Sequence, residues 1–183
     1  MNKFKFTIAS LFYLLANQSF ADDVLTGRTK LSCEAILCLS TGSPPGECSP
    51  SLSEYFSINY DDFGDTIRGR LNFLNLCPVS SQTPEMKSLV NAIANGAGRC
   101  DAASLNQTTK EWVPVSNEIG FSNGYWCIKG NLPNYCQAYI NHQYTDLSGA
   151  AKFIVDPPHV SIIQEGFGQS TKVVSKLTCG HWQ

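Results

Sequence analysis

Cysteines, acids and histidines are the residues of this chain whose types and spacing could do chemistry. The eight cysteines are Cys33, Cys38, Cys48, Cys77, Cys100, Cys127, Cys136 and Cys179. Zinc sites are built on close cysteine pairs, and the closest pair here, Cys33 and Cys38, leaves four residues between. No C-x-x-C occurs, so a thioredoxin-like redox centre lacks its motif. The even number instead predicts structural disulfides, which belong to an oxidising compartment. Eight cysteines can pair in about a hundred ways, and spacing does not choose among them.

Among the acids, Glu34 and Glu47 are the candidates for catalysis. Glycoside cleavage needs a carboxylic acid with a raised pKa, paired with another carboxylate or an organised water. Glu34 lies on an apolar stretch between two cysteines, a setting that can raise a pKa. The plainer reading is an exposed glutamate in a helix's first turn, favoured there by the macrodipole. Asp61, Asp62 and Asp65 cluster around Gly64, but the order of a calcium loop is absent, and helix N-terminal acids account for them. His142, His159 and His181 have no H-E-x-x-H or G-x-S-x-G context and read as structural or solvent-facing. Asn106-Gln107-Thr108 matches a glycosylation sequon, which carries no meaning behind a bacterial-type leader. No metal or cofactor is expected. The aromatic group Phe121, Tyr125, Trp126, Tyr135 and Tyr139 is mainly core material. An exposed fraction of it, with Tyr125, Trp126, Tyr135 and Tyr139 as candidates, would form a protein-contact patch.

The elements that hold these residues follow from local signals. Asp22 to Lys30 is polar and reads as loosely held. Leu31 to Leu39 is a short helix with Cys33, Ile36 and Leu37 on one face. Thr41 to Gly46 must turn. Ser49-Pro50 reads as N-cap and first helical residue, followed by Leu52, Tyr55, Phe56 and Tyr60 as an apolar face. Asp62 to Asn75 is a helix with Ile67, Leu71, Phe73 and Leu74 inside and Arg68 and Arg70 outside. Thr83-Pro84 starts another, carrying Met86, Leu89, Val90 and Ile93 and stopping near Asn95-Gly96. Asp101 to Leu105 adds one turn. Trp112–Val115 and Phe121–Trp126 are aromatic and turn-rich. Asn134 to Tyr144 can be read two ways, as a helix grouping Tyr135, Ala138, Tyr139 and His142 or as a strand alternating Cys136, Ala138 and Ile140, and the helix is preferred. Lys152–Val155, Val160–Ile163 and Val173–Leu177 are β-rich. The expected fold is mainly α (α+β): a disulfide-stapled bundle of short helices with a small C-terminal β-hairpin or sheet.

Residues 1–21 read as a secretory signal peptide. Lys3 and Lys5 precede an apolar run from Phe6 to Ala16, and Ser19 and Ala21 are the small residues before a cut that leaves Asp22 first. The run is about half the ~20 residues a bilayer span needs, and no later segment is long and apolar enough. A single disulfide-rich domain of 162 residues, 22–183, would remain, helical over 31–105 and mixed over 106–183. Without the leader's two lysines, 11 basic side chains face 15 acidic ones. That balance argues against a nucleic-acid binder.

One ordered string is more specific than any of these motifs. It runs Cys33-Glu34-Ala35, Leu37-Cys38-Leu39, Gly46-Glu47-Cys48-Ser49-Pro50-Ser51-Leu52, Tyr55-Phe56, Arg70, Phe73-Leu74 and Leu76-Cys77-Pro78. Tyr135-Cys136, Ala138-Tyr139, His142 and Tyr144-Thr145 continue it. The pattern resembles the TrbM/KikA/MpfK family of conjugal transfer proteins over roughly residues 31–145; the tail after Phe153 has no match in it. The resemblance implies an exported component of a plasmid-encoded conjugative type IV secretion system, with protein partners there or in the cell envelope. Its KikA branch also implies an effect on host-cell viability in some recipients. It implies no catalytic residues. A non-enzymatic periplasmic accessory protein of mating-pair formation is therefore expected. The alternative is a peptidoglycan-acting enzyme using Glu34 or Glu47, or an envelope-targeted toxin or inhibitor.

Overall fold

The computed structural model describes residues 25–115, 123–147, 149, 151–164, 170–174 and 177–183. The expected signal peptide and Phe121 lie outside the described residues, as does part of the 173–177 strand.

The first helix, α1 (Gly27–Leu39), starts earlier than the apolar pattern suggests, so residues 27–30 are helical rather than loose. Its inner stripe is Ser32, Ala35, Ile36 and Leu39, while Leu37 faces solvent. Small residues let its neighbours approach, and the two cysteines clasp it from outside that stripe. A 3-10 turn, Gly46–Cys48, runs directly into α2 (Ser49–Ser57). Ser49 is therefore the first helical residue and not the N-cap. Cys48 occupies the cap position, and Ser51 Oγ donates to its carbonyl at 2.9 Å. Helix α3 (Phe63–Leu74) is capped as its sequence predicts, with Asp62 Oδ1 accepting the Asp65 N–H at 3.0 Å. Phe73 and Leu74 are buried, but so is Arg70, contrary to the expected outer position.

Helix α4 (Pro84–Gly96) is the central element. The Thr83 hydroxyl accepts the Met86 N–H, and Pro84 stands where its missing N–H costs nothing. Leu89, Val90, Ala92, Ile93 and Ala94 carry it into the core. A short helix, α5 (Ala102–Thr108), follows, and α6 (Asn134–Ile140) packs across the end of α4. Gly96 permits that crossing: a Cβ there would lie 2.6 Å from Tyr139 Cβ. The helix ends at Ile140, so His142 does not share its face.

The aromatic stretches expected to be turn-rich are strands, β1 (Lys110–Val115) and β2 (Asn123–Ile128), paired antiparallel. Pro114 is tolerated because β1 is an edge strand. Two further strands match β-rich sequence, β3 (Phe153–Val155) and β4 (Val160–Gln164), whereas β5 (Ser170–Val174) begins three residues before the expected Val173–Leu177 strand and Leu177 lies in a bend. A sixth, β6 (Gly180–Trp182), was not expected. The main sheet runs β1-β2-β6-β3, and β4 and β5 form a separate ribbon. Thus β6, at the chain's end, joins β3 to the hairpin.

All eight cysteines are paired, as Cys33–Cys77, Cys38–Cys48, Cys100–Cys136 and Cys127–Cys179. Two crosslinks lie among α1, the 3-10 turn and the end of α3. The other two tie α6 to the residues after α4, and β2 to the segment before β6. One hydrophobic cluster links the halves, from Ala35 and Tyr55 through Phe73 and Ile93 to Tyr139 and Trp182.

Candidate protein-contact surface

The hairpin of β1 and β2 places Trp112 directly opposite Trp126. Cross-strand partners on one face are close enough to touch, and the indoles meet edge to face with centroids 5.2 Å apart. Gly124 makes room: a Cβ there would lie 2.5 Å from Trp112 Cζ2. Trp112 is nonetheless 46% exposed and Trp126 58%. Lys110 Nζ sits 4.8 Å from the Trp126 ring centroid. The backbone beneath is firm. Cys127, on the opposite face, is buried and bonded to Cys179, and Lys129 Nζ reaches Glu111 at 3.7 Å.

The predicted aromatic patch divides. Trp126 is on this surface. Tyr125 is half-buried and stacks on His159 with centroids 3.8 Å apart. Tyr135 is also half-buried and is held elsewhere: the Arg99 guanidinium lies 3.9 Å from its centroid and 4.1 Å from that of Phe63. Tyr139 is not a surface residue at all. It is 7% exposed, with its hydroxyl donating to the Leu39 carbonyl, because α6 is pressed against Gly96. Trp112 and Lys110 were missed. It is the register of β1 on β2, pairing Trp112 with Trp126, that brings them to this face.

The acids and histidines do not converge. Glu34 faces Lys30 Nζ at 3.6 Å on the half-exposed side of α1. Glu47 is exposed in the 3-10 turn. A cleft of about 430 Å³ between α4 and α6 is lined by Ser88, Asn91, Ala92, Asn95, Tyr135 and Ala138. Neither that cleft nor two smaller ones is lined by either glutamate or by a histidine. Asp62 caps α3 and Asp65 pairs with Arg68, as helix-start acids should. His181 Nδ1 lies 2.7 Å from Asp156 Oδ1 with both side chains half-exposed. Among the described residues, no group of three or more His, Cys, Asp or Glu could hold a metal.

Asn106, the sequon asparagine, has a structural task. Its Oδ1 accepts the Trp182 N–H at 2.7 Å and its Nδ2 donates to the Trp182 carbonyl at 2.9 Å. The side chain thus serves β6 as a neighbouring strand would. The Trp182 indole N–H completes the closure, with Thr109 Oγ1 and the Lys129 carbonyl each at 3.2 Å.

The fold and this surface define a small α+β protein stapled by disulfides, with an exposed aromatic hairpin. The TrbM family model matches residues 24–161, well over half of the chain, and the chain belongs to the TrbM family. That is a family of conjugal transfer proteins, and it gives the chain a role related to conjugation. No curated protein and no solved structure matches it. Among the described residues no helix is long and apolar enough to cross a membrane.

Proposed function

We propose that the chain is a non-enzymatic, periplasmic accessory protein of the type IV secretion system that forms mating pairs. It acts by protein–protein contact through its aromatic hairpin. The observation that carries this reading is the Trp112–Trp126 pair, exposed on a hairpin whose other face is locked by a disulfide. Tryptophan is enriched where partners bind and costs little entropy to immobilise. Rigid backing lowers the ordering cost further. Four disulfides suit an oxidising compartment. The expected signal peptide would deliver the chain there, and its family supplies the conjugative setting.

Complementation of a deletion in donor cells tests it. Transfer frequency should fall on deletion, return with the natural chain, and fail to return with Trp112→Ala/Trp126→Ala at equal periplasmic abundance. Unchanged transfer on deletion would sink the proposal. So would clearing of cell wall on a zymogram that is lost in Glu34→Gln.

A further inference from the structure

The hairpin face carries a cation as well as two indoles. Lys110 is exposed beside the Trp126 ring, and no carboxylate among the described residues pairs with it. The nearby Lys129 is already engaged by Glu111. The patch therefore offers two rings and one positive charge with no ion pair among the described residues, on a chain whose formal net charge is −2. Its complement would be a segment with aromatic rings and carboxylates.

This chain carries such a segment. Tyr60-Asp61-Asp62-Phe63 leads into α3, with Tyr60 56% and Phe63 42% exposed. Both aspartates are exposed. Asp62 is committed as the N-cap, whereas Asp61 has no ion pair among the described residues. The segment is held in shape before any partner arrives. Tyr60 N–H donates to Thr66 Oγ1 at 2.8 Å, its ring lies across Gly69, and Phe63 is backed by Arg99. No hydrogen bond, ion pair or ring contact among the described residues joins this segment to the hairpin. Two complementary patches of one chain thus remain apart.

We propose that the hairpin's partner is a second copy of this chain, whose Tyr60–Phe63 segment docks on Trp112, Trp126 and Lys110. This rests on the reading of the hairpin as a contact surface. The two patches differ, so the contact is head-to-tail. It repeats from copy to copy, giving rings where the rotation closes and open chains where it does not. Pairing of Asp61 with Lys110 makes the association sensitive to salt, and the rings supply the buried centre.

Sedimentation velocity of the purified, oxidised protein over a concentration series provides the test. Species growing with concentration and receding with added salt are expected. Trp126→Ala, Lys110→Glu and Asp61→Lys should each raise the concentration for half-association about tenfold. Mixing Lys110→Glu copies with Asp61→Lys copies should restore association, because each then supplies the charge the other reversed. A misfolded variant would not be rescued by mixing. A protein that stays monomeric at every concentration overturns the proposal, as does self-association that none of these changes moves. The outcome is separable from the transfer assay. Monomeric protein with Trp126-dependent transfer removes the second copy and leaves the contact function standing. Charge-dependent self-association without any transfer defect does the reverse.

Discussion

Arg70 is a buried cation with no carboxylate paired to it among the described residues, and its surroundings explain how it is tolerated. Its Nε donates to the Ile58 carbonyl at 3.1 Å and its Nη1 to the Ala97 carbonyl at 3.5 Å. Those two residues are the C-caps of α2 and α4. Helix C-termini carry partial negative charge, so two helix ends do the work of an acid. The rings of Tyr55 and Phe56 cover the guanidinium at 4.9 and 5.5 Å. Arg70→Met keeps the length of the side chain but leaves both carbonyls without a donor. A loss of about 2–4 kcal/mol is expected, read as a lower denaturant midpoint at unchanged slope. Arg70→Lys should recover little, because one ammonium cannot reproduce the fork. The neighbouring phenol gives a pH prediction. Burial pushes Tyr55 from 10.0 up to about 12, with Arg70 pulling it partly back. Burial also raises Tyr139, and the nearby Tyr55 adds to that. From about pH 10 to about 12 the unfolded phenol has lost its proton while the folded Tyr55 keeps it. The unfolded state then binds fewer protons, so the contribution of this phenol to stability falls across that window and is constant below it. Denaturant midpoints followed into the alkaline range check this. Tyr55→Phe should reduce the slope, leaving the share due to Tyr139, while lowering stability by about 1 kcal/mol, because the hydroxyl's bond to the Ile93 carbonyl is lost.

At the level of elements, legibility follows how local each cause is. The starts of α3 and α4 were readable because Asp62 and Thr83 cap within their own first turns. The burial of Arg70 was not, because it depends on the ends of two other helices. The β1–β2 hairpin was hidden by Pro114 and Gly124, which look like turn residues until β1 is known to be an edge and Trp112 to cover the glycine. Asn106 has no role readable in the sequence, where its sequon carries no meaning, and only the return of the chain's last residues shows it completing a sheet. For the contact surface, Trp126 was legible from its type, whereas Trp112, Lys110 and the loss of Tyr139 to the core needed the register and the α4–α6 crossing. Disulfide pairing is the least local of these features, and it sets a graded prediction. Cys33–Cys77 joins residues 44 apart and Cys38–Cys48 residues 10 apart. If the crosslinks act by restricting the unfolded chain, replacing the first pair with alanines should cost about 4 kcal/mol and the second about 3. Denaturant midpoints of the two double variants should rank in that order. Equal losses would mean that the bonds act through native packing instead.

The whole molecule is a modest core held by covalent ties, and its stability should depend on the compartment. Summed on the same loop-entropy account, the four disulfides contribute about 15 kcal/mol. A domain of this size has a net stability of about 5–15 kcal/mol. The ties are therefore comparable with the whole surplus of folding, and the reduced chain has little or nothing left. The arrangement sharpens the point. The strands β3 and β6 are three residues each, β6 meets β2 through one residue pair, and Cys127–Cys179 spans that junction. Reductant should accordingly abolish cooperative unfolding and expose the chain to protease, with the sheet lost first by hydrogen exchange. Thiol titration of the oxidised protein, unfolded without reductant, should find no reactive cysteine, since all eight are paired. A reduced chain that kept its helical circular dichroism and a sharp denaturation midpoint would contradict this ranking of forces. It would assign stability to the cluster running from Ala35 to Trp182, and the disulfides would then be fastening surfaces in place rather than holding the fold together.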